Sequence, residues 1–94
     1  MTRSDALIVL DQAWLALDQD AMTYPRFALA FDAAVRAVEE AGDPLADRLR
    51  RIWGQVEIIN ALSLDEGIPV SSADLADTAN LVQEARELLQ GSRE

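Results

Sequence analysis

Three residue types are missing from this chain: cysteine, histidine and lysine. Without thiols there is no disulfide, no thiolate metal site and no cysteine nucleophile. Without imidazole the commonest general base and the commonest transition-metal ligand are gone, and lysine, a third frequent catalytic side chain, is gone as well. An enzyme is therefore not expected, and neither is a metal or a cofactor. The glycines, at 42, 54, 67 and 91, are isolated from one another, so no loop can cradle a phosphate. No apolar run approaches the roughly 18 residues of a membrane-spanning helix, and Asp5 and Asp11 bracket the short apolar segment from Ala6 to Leu10. Only Arg3 precedes that segment and no small-residue cleavage pattern follows it, so a secretory signal is not expected and the cytoplasm is the expected compartment.

What is present is acid. Seventeen Asp and Glu face eight arginines, a formal net charge of −9. Binding a polyanion relies on cationic side chains that displace its counterions, so neither nucleic acid nor an anionic membrane suits this chain. A basic protein surface is the partner its charge would attract. Half of the 94 residues are apolar, enough for a single core, and residues 1–94 are expected to form one helical domain with a stability on the order of 5 to 14 kcal/mol.

Apolar spacing predicts four helices, over residues 4–20, 25–41, 44–66 and 72–90, packed as an all-α antiparallel four-helix bundle. The first starts near Thr2 or Ser4, with Leu7, Leu10, Trp14, Leu17 and Ala21 on one line and Ile8, Leu15 and Met22 flanking it. A helix this apolar should touch neighbours on at least two sides. Pro25 opens the second helix, with Tyr24 held extended before it, and Phe27, Phe31, Ala34, Val38 and Ala41 point one way. Gly42 ends it, and Asp43 caps the third helix at once with Pro44 in the first helical position. Leu45, Leu49, Ile52, Val56 and Ile59 give that helix its core stripe, and Gly67 stops it. Ser71 and Asp74 form a capping box for the fourth helix, with Val70 and Leu75 as the hydrophobic staple around it. Leu75, Val82, Ala85 and Leu89 are its seam, Gly91 stops it, and Ser92 to Glu94 form a fraying tail.

If the helices alternate in direction, the C-ends of the first and third meet at one pole and bring Asp18, Asp20, Asp65 and Glu66 together, with Asp74 and Asp77 nearby. The first four sit where a helix dipole disfavours acids by roughly 0.3 to 1 kcal/mol each. Such a pole is either a surface kept acidic for a cationic partner or part of a generally solvated acidic surface. It does not read as a metal site: Asp18, Asp20 and Met22 begin like a calcium loop, but Thr23 stands where its glycine belongs and Leu29 where its closing glutamate belongs. Arg48, Arg50 and Arg51 form the one basic cluster, expected to balance nearby acids such as Asp47, Glu39 and Glu40.

The third helix carries a second strip opposite its core stripe, made of Gly54, Ile58, Ala61 and Leu62. Glycine in a helix interior costs about 1 kcal/mol relative to alanine, and the close approach of another backbone is one reason to keep it. Either the helix is enclosed on several sides within the monomer, or the strip faces a partner. Trp53, at the border of the core stripe, is a core-edge residue or an interface anchor.

In size, acidity and helix order the chain resembles the small bacterial immunity proteins of the colicin D type, including the self-protective colicin-like immunity family. The resemblance includes the short turn and the aromatic at the start of the second helix, from Asp20 to Phe27. It implies a non-enzymatic inhibitor that covers the basic substrate-binding surface of a nuclease toxin with acidic side chains. It aligns no individual residues, so the candidate partner-binding set comes from the chain itself: Asp18, Asp20, Asp65 and Glu66 at the pole, and Trp53, Gly54, Ile58 and Ala61 on the third helix. The alternative expectation is a structural or adaptor protein that associates with itself as a homodimer through the strip on the third helix.

Overall fold

Four runs of three-and-four-residue apolar spacing become four helices in the computed structural model, which describes residues 3–91: α1 (Arg3–Asp18), α2 (Tyr24–Glu40), α3 (Ala46–Glu66) and α4 (Ser72–Leu89). The backbone of each helix approaches those of its two neighbours in the ring, while side chains from all four fill the middle. The connections at 19–23, 41–45 and 67–71 are too short to run the length of the bundle, so consecutive helices are antiparallel. The antiparallel four-helix bundle expected from the sequence is the fold, and it measures 37 × 23 × 23 Å. Thr2 and the tail from Ser92 to Glu94 lie outside the described residues.

The core runs through all four helices, with Phe27, Phe31, Leu10, Leu49, Val35, Val38 and Val56 almost wholly buried. Phe27 is its centre. Its ring lies 6.0 Å from that of Trp14, 5.7 Å from Tyr24 and 6.1 Å from Phe31, in edge-on and tilted arrangements that favour aromatic pairs. α1 turns slightly from the expected line: Ala6, Leu10, Ala13 and Leu17 are buried, Leu7 and Trp14 half-buried, and Ala21 is exposed beyond the helix end. The alanines let α1 approach its neighbours closely. Because each helix in the ring lies beside only two others, α1 leaves Ile8 and Leu15 in solvent. Leu75 is similarly more exposed than a seam residue, and Thr78 takes its place in the α4 core line.

The helix ends follow the capping chemistry with two corrections. Tyr24 is not extended but is the first residue of α2, because the Thr23 carbonyl accepts the Phe27 N–H at 3.0 Å and Thr23 takes the extended backbone instead. α3 begins at Ala46 rather than at Pro44, since the chain first makes a tighter turn in which the Ala46 N–H bonds the Asp43 carbonyl at 3.0 Å. Asp43 still caps this end: its Oδ1 accepts the Leu45 N–H at 2.9 Å, and Arg3 donates to both its carboxylate oxygens, at 2.6 and 2.8 Å. The capping box of α4 forms as expected, with Ser71 Oγ accepting the Asp74 N–H and Asp74 Oδ2 accepting the Ser71 N–H.

The buried polar residue Thr78 ties α2 to α4 across the diagonal of the ring. Its hydroxyl donates to the Asp74 carbonyl at 2.8 Å, so the Tyr24 hydroxyl, 2.8 Å from the same oxygen, is the donor to it. Burial raises the Tyr24 phenol above its usual range.

Two expectations follow. Thr78→Val should cost about 1 to 3 kcal/mol in denaturant unfolding by stranding the Tyr24 hydroxyl, and adding Tyr24→Phe should restore most of the loss. The Arg3 and Leu45 hydrogen bonds lower the Asp43 carboxyl from 3.8 to about 2. A lowered folded-state value stabilises above the unfolded one, so this contribution is present above about pH 4 and is lost as pH falls toward 2. Thermal unfolding of an Asp43→Ala variant should therefore be less sensitive to acid across that window than the parent.

Candidate functional site

The short connections bring the C-ends of α1 and α3 to one pole, where the chain at 19–23 and the chain at 67–71 face each other across a cleft of about 830 Å³. Its walls are apolar. Leu17, Met22, Tyr24 and Pro25 stand on one side, Leu64, Ile68, Pro69, Val70 and Leu75 on the other, and Asp20, Arg26 and Ser63 supply polar groups. Leu64 and Ile68 are 62% and 55% exposed, which is high for large aliphatic side chains in a structured segment.

Local chemistry fixes both walls. α1 ends with the Ala21 N–H bonded to the Ala16 carbonyl at 2.7 Å and the Asp20 N–H to the Leu17 carbonyl at 3.1 Å, the double bond pattern of a left-handed helix stop. α3 ends in the same way on Gly67, with Ile68 N–H bonded to the Ser63 carbonyl and Ser63 Oγ donating to the Ile68 carbonyl. These bonds fold Ile68 back toward the last turn of α3. The capping box then sets Val70 and Leu75 on the same side of the start of α4, where both line the cleft. At the corresponding positions after α2 and α3 the left-handed residue is a glycine, but after α1 it is Asp20, with φ 60°. A non-glycine residue is strained there, although Asp tolerates it better than most.

Charge is divided along the bundle. Asp18, Asp20, Asp65 and Glu66 are all exposed at the pole, and none is paired with a cation among the described residues. Neither α1 nor α3 has a basic residue in its last turn. Arg3, Arg36, Arg48, Arg50, Arg51 and Arg86 all lie toward the opposite end, and among the described residues Arg26 is the one arginine at the cleft. Four of the distant arginines are held by acids: Arg3 by Asp43, Arg36 by Asp32, Arg50 by Asp32 and Glu39, and Arg86 by Asp11. Arg50 donates to both Glu39 oxygens, which holds that carboxyl below its usual range. Among the described residues no group of three or more acids could hold a metal ion, and no helix is long and apolar enough to cross a membrane.

The eight candidate residues do not form one site. The four acids surround the pole. Trp53 is half-buried between α2 and α3, where its indole N–H donates to the Ala28 carbonyl at 3.0 Å and the Arg50 guanidinium lies 5.0 Å from its ring. Gly54, Ile58 and Ala61 lie on the outward side of α3; Ile58 is 59% exposed, and a Cβ added to Gly54 would meet nothing within 4 Å. No backbone of the monomer therefore approaches Gly54. Nor does Arg51 pair with Asp47 as its spacing suggested; with Arg48 it lines a groove between α3 and α4 opposite Glu84 and Glu87.

Sequence reasoning placed the acids and missed the cleft. The available signal was the apolar trio Ile68, Pro69 and Val70 inside a connection that must run over the surface. No family model matches the chain, and no curated protein or solved structure is detectably similar to it.

Replacing Asp20 tests whether this position serves folding. Asp20→Gly relieves about 1 to 2 kcal/mol of left-handed strain and an unfavourable charge at a helix end, against about 0.4 to 1 kcal/mol of added unfolded-state entropy. Chemical denaturation should show a net gain of about 1 kcal/mol. A loss would mean that the carboxylate supports the turn.

Proposed function

We propose that this chain is a non-enzymatic protein-binding module of the immunity type, which covers a basic surface of a toxin or enzyme with its acidic pole. The observation that carries the reading is the combination at the pole of four exposed acids, none ion-paired among the described residues, with an open apolar cleft that Asp20 lines. Acids without structural partners, at helix ends that disfavour them, cost stability and return nothing to the fold. Beside an apolar cleft they have the two parts of a docking surface: long-range attraction for a cationic partner and apolar area to bury once it arrives. The resemblance to colicin-type immunity proteins points the same way, toward a nuclease whose substrate-binding surface is basic.

A second reading, self-association through the outward face of α3, is favoured by the exposure of Ile58 and the open space over Gly54.

The test of the first reading uses the partner recovered with the chain as bait. That partner should be basic, and its association rate should fall at least about tenfold between low and physiological salt. Asp18→Arg with Asp20→Arg, on the α1 side of the pole and away from α3, should slow association by a similar factor and change dissociation less. Equal binding by that double variant would remove the pole from the interface.

A further inference from the structure

The outward face of α3 is self-complementary when a second copy is laid across it in the opposite direction. Ile58, 59% exposed, is the centre of this face. Gly54 lies four residues before it and Leu62, 55% exposed, four residues after. Arg51 lies seven residues before it and Asp65 seven residues after, two helical turns and roughly 10 Å either way. At about 100° per residue all five fall on the side of α3 turned away from Val56, and Arg51, Ile58, Leu62 and Asp65 are all exposed.

The geometry points to a second copy of this chain as the occupant of this face, with the two α3 helices antiparallel about a two-fold axis through Ile58. That axis sets Ile58 on its symmetry mate. It puts each Leu62 over the other copy's Gly54, where no side chain of the monomer fills the space. It also puts each Arg51 against the other copy's Asp65, two opposite-charge contacts made by groups that have no ion-pair partner among the described residues. A two-fold interface is isologous, so one face must supply both members of every pair, and α3 supplies a protrusion with its recess and a cation with its anion at matched distances. The glycine that no internal contact explains becomes the recess. This inference rests on the self-association reading; it shares Asp65 with the acidic pole, whereas Asp18 and Asp20 take no part in it.

Sedimentation equilibrium of the full chain tests it. The parent should dimerise as concentration rises toward about 1 mM, a range that detects even weak association. Arg51→Asp and Asp65→Arg, each alone, should weaken the dimer at least about tenfold by facing like charges across both contacts, and the two together should restore it because the pairs are remade with the signs exchanged. Gly54→Leu should also weaken it, while raising the helical stability of the monomer, so loss of the dimer there cannot be loss of the fold. A parent that stays monomeric overturns both the inference and the self-association reading. A dimer indifferent to the single reversals, or not restored by the pair, overturns this arrangement alone.

Discussion

Because the chain turns at 19–23, 41–45 and 67–71 without room to cross the bundle, α1 and α3 must end at the same pole, and the negative ends of their helix dipoles lie side by side there. Most of the molecule's character follows from that constraint. The acids that close α1 and α3 add to those dipoles, since neither helix carries a basic residue in its last turn. The arginines gather toward the other end, where Asp43, Asp32, Glu39 and Asp11 hold four of them. The charge of the chain is thereby uneven, with acids partly offset by arginines at one end and scarcely offset at the other.

The two ends also differ in how they are built. Away from the pole, Arg3 reaches from the start of α1 to the carboxylate that caps α3, so a single bidentate contact joins the chain's first helix to the turn between the second and third. At the pole the ordering is mostly local, a left-handed stop after each of two helices and a capping box, with one long-range tie in the Tyr24–Thr78 hydrogen bond. Those bonds fix the backbone of both connections without covering Leu64 or Ile68.

Much of this was legible in the sequence where one residue's chemistry sufficed. Gly42, Gly67 and the Ser71–Asp74 pair marked their helix ends correctly because caps are read within a few residues, whereas Asp43 marked the turn that precedes α3 and not its first residue. The apolar lines of α2 and α3 were found because their periodicity is clean, except that Ala41 is exposed past the end of α2 and Leu45 and Ile59 are only partly buried, and the acids at 18, 20, 65 and 66 converged because antiparallel order follows from short connections. Other features depended on tertiary partners. The hydrogen bond between the Tyr24 and Thr78 hydroxyls joins positions 54 apart, which no local rule contains. Ile8 and Leu15 stayed in solvent because a ring of four offers each helix two neighbours, whereas hydropathy alone cannot count them. Asp20 gave no sign of its left-handed backbone, since aspartate is equally at home in several turn conformations. The cleft was hidden for a related reason: its walls come from segments far apart in the chain, 17–26 and 63–75, and each looks ordinary alone.

The left-handed stop at Asp20 also bears on how such a surface can change over generations. The buried residues that hold the bundle together, from Ala6 to Leu89, include only Leu17 and Tyr24 among the cleft's walls, and none of the pole's exposed acids. Substitutions at 18, 20, 65 or 66 therefore leave the packed interior intact, and at 20 glycine would adopt the same backbone without strain. The positions that pack the interior and the positions that make the pole acidic are separate sets, so the charge of that surface can vary without altering the core.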